Sequence, residues 1–220
     1  MRLVRVDREL VFAAVADERR LIASLIDQLD DEQLAAPSLC AGWDIKTVAA
    51  HLVSVIADSF WVFMGTAVRR GGMARAIDEL ARRRAQLPSS DIAATLRKCA
   101  DHALSPPLFG PLDPLADILV HSGDIRIPLH VPFEPNPALA AMALDFLTGP
   151  WPYAFVPLGR LWGISLYATD VDRPWGKGIE VRGPAAALMM AVSGRHALLH
   201  LLDGPGLPIL RRRLSPGGRH

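Results

Sequence analysis

The sequence predicts an α+β protein: an N-terminal antiparallel four-helix bundle over residues 1–132 and a smaller C-terminal α+β domain over residues 133–220. Three observations carry this reading. As far as Ile127, apolar residues recur with helical period and no period-2 alternation interrupts them. At Pro128 the texture changes, because PLHVPFEPNP carries four prolines and reads as a linker. Beyond it, RLWGISLYATDV and IEVRG have strand character and lie between two helical stretches, ALAAMALDFL and AAALMMAVSGRHALLHLL.

The elements follow in order. From Arg8 to about Leu29 a helical stripe is expected through Leu10, Ala13, Ala14, Leu21, Leu25 and Leu29, with Asp17 the one charge on it. The loop DDEQLAAPSLCAGW is broken by Pro37 and Gly42. Asp44 is placed to cap a long helix, IKTVAAHLVSVIADSFWVFM, whose buried stripe runs through Ile45, Val48, Ala49, Leu52, Val55 and Ile56. Gly71-Gly72 ends that helix, and MARAIDELARRRAQL begins the next. Ser89-Ser90-Asp91 offers a cap for DIAATLRKCADHAL, and the segment from Leu115 to Ile127 supplies the last helix of this part. Helices joined by modest loops make a four-helix bundle, with one shorter extra helix, the simplest arrangement. In the last part, Pro184 stands where a first helical residue is expected.

Composition excludes several classes of function. Half of the 220 residues are apolar and 21% are charged, enough for a sizeable core. The formal net charge is +1, which gives no electrostatic case for a nucleic-acid partner, and the basic RRRLSPGGRH end reads as a solvated tail. The longest apolar run, AAALMMAV, is far short of a membrane span, and MRLVRVDREL lacks the apolar core of a signal peptide. Two cysteines, Cys40 and Cys99, make no disulfide framework. A cytoplasmic protein with reduced thiols is expected, as monomer or homodimer, with no nucleic acid and no membrane as partner.

One stretch concentrates chemistry. In DILVHSGDIR, Asp117, His121 and Asp124 stand at i, i+4 and i+7, on one side of a helix. Asp117 and His121 are then roughly 5–6 Å apart at Cβ, close enough to share one ion. The same spacing also describes a helix-surface salt bridge. A catalytic zinc takes three protein ligands and keeps one position open, so a third ligand has to come from elsewhere. His51, on the shoulder of its helix beside Val48 and Val55, is the best placed. A rival pair, His196 and His200 at i and i+4, has no carboxylate beside it, and His102 and His130 are isolated. Cys40 has no activating group near it in sequence and reads as a packed structural thiol.

The run PSLCAGWDIKTVAAHL resembles the P-[ST]-x-C-x-G-W-[ST]-x-x-D-x-x-x-H-L signature of the mycothiol-dependent maleylpyruvate isomerase family, within the DinB-like metalloprotein superfamily. DILVHSGDIR is similar to that family's E-x-x-x-H-x-x-D element, and YATDVDRPWGKGIEVRGPAAALMMAVSGR is similar to its second-domain block. The resemblance runs from about Glu18 to Leu214, with the three blocks in the expected order. It implies a DinB-like bundle holding one divalent metal, usually zinc, on His51, Asp117 and His121. It further implies a mycothiol-dependent, zinc-assisted thiol transferase or isomerase that acts on a small electrophilic substrate. In the isomerase the thiolate of mycothiol would add to a conjugated double bond, allow rotation, and leave again.

Arg195, in the SGR of the second-domain block, is the candidate catalytic and cofactor-binding cation for substrate carboxylates; a helix arginine satisfying nearby carbonyls is the alternative. Asp124 is read as support for a metal ligand or as a partner for Arg126. The chain departs from the pattern with Asp117 in place of the usual Glu, Asp44 in place of Ser or Thr, and Thr47 in place of Asp. Aspartate is one methylene shorter, which favours the other reading, a non-catalytic metal-binding or small-ligand-binding member of the same fold.

Overall fold

The structure is a computed structural model, and it describes residues 7–104, 110–150 and 155–214. Residues 1–6, part of PPLFGPLDP and the last six residues of the basic tail lie outside the described residues. The chain divides into two compact units: one of residues 1–104 and 121–132, the other of residues 105–120 and 133–220.

The first unit is helical. Its elements are α1 (Arg8–Ile26), α2 (Asp31–Ala35), α3 (Ile45–Ala57), α4 (Phe60–Arg70), α5 (Met73–Arg84) and α6 (Ser89–Lys98). The C-terminal part of α7 (Leu112–Arg126) joins them, while its first half belongs to the second unit. Asp7 starts α1 by accepting the amides of Glu9 and Leu10, and Asp30 forms a capping box with Gln33 on α2. The face that α1 buries is not the leucine stripe expected from sequence. Val11, Val15, Arg19, Ile22 and Ile26 are buried, whereas Leu10 and Leu21 are half exposed. The inward residues are mostly β-branched and repeat at i, i+4, i+8, i+11 and i+15, a helical period that the leucine stripe one position away shares. Arg19 can sit on that face because its guanidinium donates to the carbonyls of Ala100 and His102, both at 2.9 Å.

The long helix expected from Ile45 to Met64 is two helices. The backbone turns extended at Asp58 and Ser59, and the Ser59 hydroxyl caps α4 by accepting the amide of Val62 at 3.3 Å. Asp58 is paired with Arg84 of α5, which fixes the break. Val55, expected inside, is half exposed as a result of where α3 turns its face. α3 is otherwise buried nearly all round and packs against α5 and α6.

The second unit contains α8 (Pro137–Leu147), β1 (Ile164–Ala168), β2 (Arg173–Gly176), β3 (Ile179–Gly183), α9 (Ala185–Val192), a short 3-10 turn (Leu199–Leu201) and α10 (Leu207–Leu214). The sheet order is β2-β1-β3, with β2 antiparallel and β3 parallel to β1. Ile164, Leu166 and Ala168 form the buried face of β1, against which α9 packs, and α9 also packs on α8. Pro184 is the N-cap of α9 and not its first helical residue; the Asp170 carboxylate accepts the amide of Ala185 at 3.0 Å. The chain therefore makes an α+β fold, helical first and with one small sheet.

Between β2 and β3 only Lys177 and Gly178 connect opposite edges of the sheet, so the chain must pass beneath the start of β1. Gly178 has φ +144, and a Cβ there would stand 2.1 Å from the carbonyl oxygen of Gly163. Only glycine tolerates both the conformation and the approach. Gly178→Ala is expected to cost at least ~2 kcal/mol of stability. Urea unfolding of the variant checks this; an unchanged midpoint would show that the crossing is not so tight.

Candidate metal centre

The site is built on a loop and two helices. The loop Ser38–Trp43 is held by its own hydrogen bonds: the Ser38 hydroxyl donates to the Trp43 carbonyl at 2.9 Å, and the Trp43 amide donates to Cys40 at 3.0 Å. Gly42 supplies the positive φ, +82°, that closes the turn. Asp44 then caps α3 by accepting the Thr47 amide at 2.7 Å, which puts His51 two turns into a buried helix. The Leu39 amide donates to the carbonyl of Asp124 at 3.2 Å, so the loop is pinned to α7.

Three rings meet behind this loop. The centroids of His51 and His121 are 4.9 Å apart, edge to face, and the Trp43 indole lies 5.1 Å from His51 and 6.3 Å from His121. Both histidines are buried, at 5% and 6% exposure. Trp43 is anchored at its polar end, where Nε1 donates to Asp78 at 2.7 Å. That bond, followed by Arg82, holds the Asp78 carboxyl below its ordinary range. Arg82 also donates to the Gly42 carbonyl at 2.8 Å and so closes a ring of contacts from α5 to the loop.

His51, Asp117 and His121 offer ligand atoms that all lie within 4.8 Å of one another. Asp117 stands one turn before His121 on α7. Asp124, with no exposed surface, accepts a hydrogen bond from His121 Nδ1 at 2.9 Å. That bond fixes the orientation of the His121 ring. Arg126 turns instead to Ser122 at 3.0 Å and to Glu18 at 3.7 Å. Two imidazoles and a carboxylate, one imidazole backed by a buried carboxylate, are the donor set of a zinc-type centre.

The other sequence candidates fall elsewhere. His196 and His200 do not share a helix face, because α9 ends at Val192; their rings bond to the carbonyls of Leu214 and Ala197 at 3.1 and 3.0 Å. Arg195 lies in the second unit, half-buried, with Nη1 donating to Ser193 at 2.6 Å. Beside it, the Arg160 guanidinium donates to the Val192 carbonyl at 2.9 Å; burial, and then the charge of Arg195, lower its pKa. Sequence reading left Cys40 as a packed structural thiol without an activating neighbour, and the structure brings two donors from α7 beside it. Cys40, His121 and Asp124 form a second group of donors within 4.8 Å of one another. Trp43 and Asp78 also went unassigned, although CAGW already joined the tryptophan to the cysteine.

A buried histidine pair with a carboxylate one turn away is a candidate donor set for a divalent metal. Residues 15–107 match the model of the mycothiol maleylpyruvate isomerase N-terminal domain. Two solved structures are similar over both units. One is a histidine-to-alanine mutant of mycothiol-dependent maleylpyruvate isomerase, with TM-score 0.62, 12% identity, and 91% of this chain and 93% of that chain covered. The other is mycothiol-dependent maleylpyruvate isomerase itself, with TM-score 0.59, 14% identity, and 90% and 92% covered. No curated protein matches the chain. No helix of the described residues is long and apolar enough to cross a membrane.

Asp113, one turn before Asp117, gives the site a pH signature. Burial, and then the charge of Asp117, raise its carboxyl from 3.8 to about 7. The folded protein thus keeps a proton that the unfolded chain has lost, and the stability this contributes is full below 3.8 and lost as pH rises through 7. In the metal-free protein, Asp113→Asn should match wild type near pH 4 and exceed it by roughly 2–4 kcal/mol near pH 8. Urea unfolding at the two pH values checks this, and parallel curves would refute it.

Proposed function

We propose that the protein is a mycothiol-dependent, divalent-metal-assisted isomerase or thiol transferase that acts on a small electrophilic substrate. The observation that carries this is the convergence of His51, Asp117 and His121, with His121 oriented by a fully buried Asp124. The family of the N-terminal domain and the fold shared with mycothiol-dependent maleylpyruvate isomerase supply the reaction class. The scaffold we assign is the four-helix bundle, in a cytoplasmic setting that keeps Cys40 and Cys99 as free thiols.

His51, Asp117 and His121 would hold the ion, and their chemistry suits zinc. Bound there, zinc supplies a Lewis acid that favours the thiolate form of a thiol at neutral pH. The protein's own residues do the rest. Asp124 fixes the tautomer of His121 by accepting the hydrogen bond from Nδ1–H, which leaves the lone pair on Nε2. Asp117 contributes the one negative charge of the ligand set. The Trp43 indole walls both imidazoles and keeps water from their faces. Arg195 is assigned to a carboxylate of substrate or cosubstrate, and the second guanidinium of Arg160 nearby strengthens the positive potential there.

Two measurements test the reading. Purified protein should hold about one zinc per chain; His51→Ala and His121→Ala should each lose it, and Asp117→Asn should weaken it at least ~10-fold in chelator competition. Asp117→Glu, which restores the longer arm, should retain the ion, while changing His196 and His200 to Ala together should leave metal content unaltered. Full occupancy in both single histidine variants would sink the assignment. With mycothiol, the zinc-loaded protein should isomerise maleylpyruvate or alkylate the thiol with a member of an electrophile panel, and chelation should abolish turnover. Stoichiometric zinc without turnover on any electrophile would favour the non-catalytic metal-binding alternative, which the short arm of Asp117 already suggests.

A further inference from the structure

The donor set described above leaves one cluster unused. Cys40, His121 and Asp124 present sulfur, nitrogen and oxygen atoms within 4.8 Å of one another, all inside the first unit. The closeness is built in. The Leu39 amide donates to the Asp124 carbonyl, which sets the next residue, Cys40, beside the carboxylate. The Cys40 amide donates to the Ser38 hydroxyl at 3.1 Å, and its carbonyl accepts from Trp43, so the cysteine backbone is fixed on both sides. His121 and Asp124 are both more than nine-tenths buried, and the bond joining them runs through Nδ1.

We propose that Cys40, His121 Nδ1 and Asp124 form a second ligand set, selective for sulfur-seeking divalent ions such as cadmium. The two sets differ in softness. His51, Asp117 and His121 offer only nitrogen and oxygen, which do not discriminate against zinc, whereas a thiolate favours soft ions strongly. Donor atoms under 4.8 Å apart need move only slightly to surround an ion at about 2.0–2.3 Å. Binding breaks the Cys40 S–H bond and the His121 Nδ1–H bond; both protons leave to solvent, and sulfur, nitrogen and a carboxylate oxygen take the ion in their place. Because Asp124 is drawn from His121 to the ion, a soft ion in this set competes with zinc for the same imidazole. The inference does not rest on the catalytic reading above, since it uses neither His51 nor Asp117.

The test is a cadmium titration of reduced, metal-free protein, followed by the sulfur-to-cadmium charge-transfer absorption in the ultraviolet. Wild type should show the band, Cys40→Ser should lose it, and Cys99→Ser should keep it. His51→Ala should lose zinc yet retain the cadmium band, which separates failure here from failure of the first ligand set. Asp124→Asn and His121→Ala should weaken cadmium at least ~10-fold. Circular dichroism confirms that each variant is folded. Should Cys40→Ser not fold, cadmium NMR of wild type, whose shift distinguishes sulfur from nitrogen and oxygen ligation, decides alone. A band that survives in Cys40→Ser, or cadmium bound by wild type without a sulfur signature, or no cadmium bound at all, overturns the proposal.

Discussion

The hydrogen bond between His121 and Asp124 is the contact around which the site is organised. A carboxylate with no exposed surface is tolerable only where hydrogen bonds replace its water. The 2.9 Å contact with His121 meets part of that demand, and in doing so fixes the ring that faces His51. The backbone of the same residue receives the Leu39 amide, so the position that orients the histidine also tethers the loop bearing Cys40 and Trp43. Losing the carboxylate would therefore disturb a ring and the charge balance of a buried pocket together, while its carbonyl would still hold the loop.

From the loop, the constraint passes outward through Trp43. Its indole packs on both histidines, while Nε1 reaches Asp78, which Arg82 holds in turn, and Arg82 closes back on Gly42. The exposed outer part of this chain contributes little energy by itself, as surface ion pairs do. Its effect is geometric, because it anchors the polar end of the indole. The buried faces of α1 and α3 then hold the helices against which this arrangement rests.

Much of this was legible in sequence, and the misses have physical causes. The α+β order, the Asp44 cap and the i, i+4, i+7 face of Asp117, His121 and Asp124 all depend on local spacing, which a sequence displays directly. The α1 face was misjudged because leucines were counted over β-branched residues, and the carbonyls that let Arg19 lie inside come about 80 positions later. The break at Asp58 was hidden because its cause, Arg84, is on another helix. Likewise, nothing local to His196 and His200 showed that the helix would stop at Val192. Cys40 is the fullest case, since the residues that give it chemistry come some 80 positions later and meet it only through the loop's attachment to α7.

The same attachment explains why one imidazole stands between two kinds of chemistry. A ring has two nitrogens at opposite corners, and a buried histidine must satisfy both. Here Nδ1 faces the Asp124 carboxylate, and the same ring lies beside both the His51 imidazole and the Cys40 thiol. By accepting the hydrogen bond from Nδ1–H, Asp124 favours the tautomer with its lone pair on Nε2, the form that the set of His51, Asp117 and His121 would need. A departure such as Asp117 for glutamate shortens one arm of that set without touching this arrangement.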